Sequence, residues 1–284
     1  MNKKTFLACV LMMSLLLLQN VDALENINKC QTLNVENEHY YLNESIIDNS
    51  GAGKCIEITA KNITLDCGDN VIDGTGKSNT YGIYSNQNMT TIKNCIVSDW
   101  NNGIVFYNAN NGTIHNNEPY SNKASGILLK ESKYNVLSDN NASYNQYGIK
   151  LNDNSNENEI KNNIATYNKI NGIYVESNCF SNLIYNNYLA GNNHDGKDAG
   201  NGNNFWNTTN STGPNIIGGP YIGGNYYSDY DGVDENGDEF GETPYDNIGG
   251  QNRDYLPLVI PEFPAMFLSV GLMFLSLFAR RNLI

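Results

Sequence analysis

The chain has 284 residues, with 17 Lys and Arg against 30 Asp and Glu, a formal net charge of −13. So acidic a chain is excluded from the usual route to nucleic acid, the neutralisation of phosphates by basic side chains. Only 17% of residues are charged, and polarity is carried by about 50 Asn, beside 26 Gly and 19 Tyr. Plentiful aromatic and β-branched residues exclude disorder. Asn and Gly disfavour long helices, which leaves a turn-rich, all-β chain.

Residues 1–23 read as a secretory signal, with Lys3 and Lys4, an apolar run over 6–18, and the small-residue cleavage site Val21-Asp22-Ala23. The run is short for a membrane span. Residues 24–53 are expected to form an N-terminal cap and residues 54–206 the repeat proper. Within the repeat, Gly-Ile steps stand at Gly82-Ile83, Gly103-Ile104, Gly126-Ile127, Gly148-Ile149 and Gly172-Ile173. Three further columns keep register with them. The first is aliphatic: Ile92, Ile114, Leu137, Ile160 and Ile184. The second is Cys95, then Asn117, Asn140, Asn163 and Asn187. The third is Trp100, then Asn122, Asn145, Asn168 and Asn192.

A period of about 22 residues marks a solenoid. Short alternating runs between Asn, Gly and Ser turns make the elements strands. Leucine-rich repeats share the period but need several Leu per unit. A parallel β-helix remains, with equivalent side chains stacked at roughly 4.8 Å. In that fold the Asn columns are structural: a turn Asn tolerates the left-handed region, and its amide bonds the same Asn one coil on. The Gly before each Ile is expected to permit a tight corner.

After removal of Cys9 with the signal, five cysteines remain. Cys67 and Cys95 fall near equivalent positions on successive coils, within disulfide reach, which leaves Cys30 with Cys55 in the cap. Cys30–Cys67 and Cys55–Cys67 are the alternatives, and Cys179 stays free. Residues 207–258 are expected to form a C-terminal cap containing an acidic, Gly-rich loop. There Asp229, Asp231, Asp234, Asn236 and Asp238 offer the oxygen donors that Ca²⁺ prefers, although an EF-hand is excluded by Glu239 and Tyr245 at its sixth and twelfth positions. Seven Asn-x-Ser/Thr sequons occur, of which Asn43, Asn111 and Asn207 lie in expected loops and are the better glycosylation candidates.

Asn62-Ile63-Thr64-Leu65-Asp66-Cys67-Gly68 with Val71-Ile72-Asp73-Gly74-Thr75-Gly76 resembles the opening of NosD-like right-handed β-helix proteins, also described as carbohydrate-binding and sugar-hydrolase repeats. Gly224-Asn225-Tyr226-Tyr227-Ser228-Asp229-Tyr230 resembles the segment after the coils in that family. The resemblance implies a right-handed parallel β-helix over about residues 30–258. The final residues, 259–284, hold Pro261-Glu262-Phe263, an apolar stretch and then Arg280 and Arg281. They resemble the PEF-CTERM sorting signal of archaeal exported proteins. The apolar run over 263–279 is just long enough for a transmembrane helix, and the paired Arg are expected to hold its end in the cytoplasm. The resemblance implies an archaeosortase-type enzyme that processes the tail.

The expected function is that of an exported, membrane-held β-helix that binds surface glycans or builds the envelope, with Tyr107, Tyr144 and Tyr167 as candidate stacking platforms. The enzyme alternative is a polysaccharide hydrolase or lyase. A hydrolase needs paired carboxylates. Asp66, Asp69, Asp73, Asp99 and Asp139 form no pair that sequence alone places on one face. The copper-accessory role implied by the NosD resemblance needs clustered His, Met or Cys. His39, His115 and His194 are scattered.

Overall fold

The computed structural model describes residues 24–49, 53–200 and 203–260. The expected signal over 1–23 and the Pro261-Glu262-Phe263 motif with its tail lie outside the described residues. The described chain is an all-β parallel solenoid of about seven turns, about 23 residues apart. Two eight-stranded parallel sheets run along it. The first runs from Leu24–Ile27 to Leu183–Tyr185, and the second from Gln31–Leu33 to His194–Asp198. The third side consists of two three-stranded pieces joined by a bridge between Asn141 and Ile164.

The Ile columns set the register. Ile56, Ile83, Ile104, Ile127, Ile149 and Ile173 pair in sequence along the second sheet. Leu65, Ile92, Ile114, Leu137, Ile160 and Ile184 do the same along the first. All twelve side chains are fully buried. One slip of a residue would turn a whole column to solvent, so each coil is held to its neighbour's phase. Coiling also starts earlier than the expected cap. Leu24–Ile27 pairs with His39–Leu42, and Gln31–Leu33 with Lys54–Ile58, so much of residues 24–53 is already solenoid.

Two expectations about turns are corrected. The glycines before the Ile column are not in the left-handed region. They are there because nothing larger fits: a Cβ on Gly103 would lie 2.7 Å from the Gly126 carbonyl oxygen and 2.9 Å from Asn122 Nδ2. The left-handed residue at each corner is not the column Asn but the residue before it. Asn116, Asp139, Asn162 and Asn186 precede one column at φ of 52 to 58°, and Ser121, Tyr144 and Tyr167 precede the other at 54 to 62°.

This leaves the column Asn free to point inward, and they form ladders. Asn140 Oδ1 accepts from the backbone N–H and from Nδ2 of Asn117, both at 3.0 Å. Its own Nδ2 donates to Asn163 Oδ1 and to the Ile114 carbonyl, both at 2.9 Å. One ladder runs Asn117, Asn140, Asn163, Asn187, Asn225. A second runs Asn122, Asn145, Asn168, Asn192. A third, not seen in the sequence, runs Asn135, Asn158, Asn182, Asn204. Within all three, each Asn donates an Nδ2–H to the Oδ1 of the next, save Asn145, which reaches Asn168 through its backbone N–H, so the last Asn needs a further acceptor. A buried carboxylate meets that need in every case. Asn192 donates to Asp195, Asn204 to Asp198 and Asn225 to Asp254. These three Asp are at most 1% exposed.

Candidate functional site

The second sheet presents a patterned outer surface. In Tyr81–Ser85 the burial order is half-buried, buried, buried, half-buried, buried. Gly82 and Ile83 both face inward, and the residues on either side of that pair face outward. Because the strands stack in register, two outward rows result. One holds Tyr81, Asn102, Ser125, Tyr147, Asn171 and His194. The other holds Tyr84, Val105, Leu128, Lys150, Tyr174 and Lys197.

Tyr81, Tyr84 and Tyr107, with Val105 and Leu128, line a groove of about 350 Å³ bordered by Lys130, Asn102 and Asn152. The Tyr81 and Tyr84 ring centres are 5.6 Å apart, and those of Tyr84 and Tyr107 are 6.5 Å apart. Lys54 Nζ lies 3.7 Å above the Tyr84 ring and Lys130 Nζ 5.5 Å from the Tyr107 ring. Further along, Lys150 sits beside both Tyr147 and Tyr174, whose centres are 5.6 Å apart. Every one of these lysines is matched by an acid: Lys54 to Glu57 at 2.6 Å, Lys130 to Asp153 at 3.3 Å, Lys150 to Glu176 at 3.4 Å. The surface is therefore aromatic and polar with little net charge. Burial pushes the phenols of Tyr84 and Tyr174 above the ordinary tyrosine range, so both stay protonated donors. Asn171, 2% exposed in the outer row between Tyr147 and His194, has an Nδ2 with no acceptor. Such a surface can stack on rings and exchange hydrogen bonds with hydroxyls.

Of the tyrosines expected as platforms, Tyr107 is in this groove. Tyr144 and Tyr167 are exposed and stack on each other at 5.4 Å at a corner, outside the groove. Cys30–Cys55 and Cys67–Cys95 form disulfides, and Cys179 is free and buried, its thiol pushed up to about 11 by burial. Asn43 and Asn111 are exposed, whereas Asn207 has both amide atoms engaged, with Thr208 and Tyr255.

The acidic loop is organised by its own backbone. Asp234 accepts N–H bonds from Gly237, Asp238 and Glu239, Asn236 accepts from Asp238, and Asp238 accepts from Phe240. Asp229 is engaged separately, by Tyr245 and Asn247. Among the described residues no three His, Cys, Asp or Glu side chains converge as metal ligands.

The carboxylates are placed differently from the sequence expectation. Asp48 and Asp73 lie near Asp99, whose pKa is raised by burial and then by those two charges. Ser98 Oγ donates to Asp73 at 2.5 Å. Sequence spacing had not brought Asp48 into this group, because its contact with the next coil runs through a bridge, Ile46 to Ile72.

A ladder-filled parallel solenoid with an aromatic outer sheet defines the class: a parallel β-helix. The chain belongs to the NosD family, whose model, described as periplasmic copper-binding protein (NosD), matches residues 22–232. That description agrees with an exported protein. No curated protein matches. Among solved structures, an alginate lyase from Paenibacillus sp. FPU-7 is similar at a TM-score of 0.50 and 14% identity, covering 64% of this chain and 71% of that one. The Dettilon tailspike protein is similar at 0.43 and 17%, covering 60% and 42%. These likenesses concern the fold.

Copper does not fit the described residues. His39 and His115 share a sheet but stand three coils apart, roughly 14 Å at one strand spacing per coil. His115 is engaged with Ser138 and Asp139, and His194 is at the end of the other sheet. The buried, protonated Cys179 thiol is no ligand while it keeps its proton, and Met89 is the lone described methionine.

Proposed function

We propose that this chain is an exported, right-handed β-helix that binds a neutral saccharide along the outer face of its second sheet. The tail over 259–284 holds it at the membrane. The observation that carries the reading is the cluster of Tyr81 and Tyr84 on one coil with Tyr107 on the next, beside lysines that are paired with acids. Rings at this spacing match an extended glycan, whose sugar faces are apolar and whose edges carry hydroxyls. Calcium is not part of this reading, because Asp234, Asn236 and Asp238 already cap backbone N–H groups and Asp229 binds Tyr245 and Asn247.

The test is a glycan array of the full-length protein, followed by titration of any neutral hit against Tyr84→Ala and Tyr107→Ala. Each variant is expected to weaken binding about tenfold without altering the circular-dichroism spectrum. Unchanged affinity in both would sink the proposal. A parallel assay for released reducing ends addresses the enzyme alternative, whose candidate group is Asp48, Asp73 and Asp99. Release abolished by Asp99→Asn would make the protein an enzyme, a lyase if the new non-reducing end is unsaturated and a hydrolase if it is not.

A further inference from the structure

A second pocket, away from the outer sheet, lies at the C-terminal end of the solenoid. It encloses about 300 Å³, at the lower end of the range of ligand sites, between Phe205, Tyr255, Gln251, Asn252 and Arg253. The two rings are 60% and 59% exposed, unusual for residues that the backbone holds firmly. Phe205 bridges Leu183, donates its N–H to Asn182 and accepts from Ile184, so it extends the first sheet by one row. Tyr255 N–H is fixed by Asn207 Oδ1. Arg253 is the single arginine among the described residues, is exposed, and makes no ion pair there.

The decisive feature is Asn252, which is 2% exposed. Its Nδ2 donates to the Gly200 and Gly249 carbonyls, which fixes the orientation of the amide. Its Oδ1 is then left buried with no donor. A buried acceptor without a partner is uncommon in a folded chain and marks a place that a ligand's O–H or N–H would complete.

We infer that this pocket binds the uronic-acid residue of an acidic saccharide. Three demands meet in that one ligand: a carboxylate for the free, planar Arg253 guanidinium, an apolar ring face for Phe205 and Tyr255, and a hydroxyl to donate to Asn252 Oδ1. An inorganic anion lacks the ring face, and a fatty acid lacks the hydroxyl. In a chain with so strong an acidic excess, an arginine without an ion pair, set beside two rings, lets an acidic sugar meet a cation without repulsion from a paired acid. The site shares no residue with the outer groove.

The experiment is calorimetric titration of the full-length protein with trigalacturonate, with its carboxyl-reduced, neutral counterpart, and with a tripeptide bearing a free C-terminal carboxylate. Trigalacturonate is expected to bind, the other two at least about tenfold more weakly. Arg253→Gln, at an exposed position, should weaken trigalacturonate at least about tenfold while leaving the neutral sugar within about twofold. Tyr255→Ala should weaken both sugars. Tyr84→Ala and Tyr107→Ala should leave trigalacturonate unchanged, which separates this site from the outer groove. The inference is overturned if wild type does not bind trigalacturonate, if Arg253→Gln binds it as well as wild type, or if the neutral sugar or the peptide binds equally.

Discussion

The early and late coils of this solenoid are held together by different chemistry. The early coils carry two disulfides and Trp100, whose Nε1 donates to the Ile72 carbonyl. The later coils carry no disulfide but three amide ladders. The two systems meet in register: the backbone N–H of Cys95 donates to Asn117 Oδ1, and that of Trp100 to Asn122 Oδ1. Cys95 and Trp100 therefore occupy the ladder positions on their coil. The comparison shows that a coil position facing the interior must link to the next coil somehow, and that an Asn needs a neighbour on both sides. The first coils have no such neighbour before them, so covalent links suit that end. The last coils supply a carboxylate instead.

The comparison can be broken most severely in the ladders. Asn163 is fully buried, donates Nδ2 to the Leu137, Lys161 and Asn187 oxygens, and accepts from Asn140 twice. Asn163→Ala leaves the Asn140 donors and the Leu137 carbonyl unsatisfied in the interior. The expected loss is about 4 to 6 kcal/mol, read from denaturant unfolding. A loss below about 1 kcal/mol would show that water enters and that the ladders do not hold the coils.

The disulfides should matter less. Each closes a loop of fewer than thirty residues, worth about 3 kcal/mol in the chain-entropy account. Replacement of Cys67 and Cys95 by Ser should raise hydrogen exchange in the strands Thr64–Asp66 and Ile96–Ser98 and leave Glu159–Lys161 protected. Equal loss of protection in both regions would mean that the two systems are one cooperative unit.

Most of the fold was legible in the sequence because a stacked coil repeats its chemistry at a fixed interval. The Ile and two of the Asn columns could be counted directly. The third ladder was harder to see. Its N-terminal neighbour is Gly112, whose N–H donates to Asn135, so neither a Gly-Ile step nor a Cys announces it. The left-handed corner residues were misassigned because their identities vary from Asn to Ser to Tyr. The outer groove was only partly visible. Tyr107 stood out, but Tyr81 and Tyr84 lie one coil earlier and become its neighbours through the register alone. The ladder-ending Asp were illegible as a set. Asp195 follows its Asn by three residues, Asp198 precedes its Asn by six, and Asp254 follows by 29.

Those terminal carboxylates give the smallest expected effect, and one with a definite sign. Asp254 is wholly buried, and burial pushes its carboxyl up to about 7 against hydrogen bonds from Asn225, Leu256 and Tyr227. Burial likewise raises Asp195 and Asp198. In the unfolded chain such groups titrate near 4. Between about pH 4 and 7 the folded chain keeps protons that the unfolded chain has released, so stability falls as pH rises through that window and levels off above it. Asp66 works the other way: burial raises it, but hydrogen bonds from Asn94, Gly68 and Lys93 outweigh that and hold it low. Its contribution is lost only as pH drops below about 4. Stability should thus peak on the acid side of neutrality, with a fall of the order of 1 to 2 kcal/mol from pH 5 to 8 once the cap's relaxation around the ionised form is counted. Asp254→Asn keeps an acceptor oxygen for Asn225 but has no proton to lose, so it should flatten the slope while lowering stability at pH 5. A melting temperature that rises from pH 5 to 8 would refute the assignment, as would a slope that Asp254→Asn leaves intact.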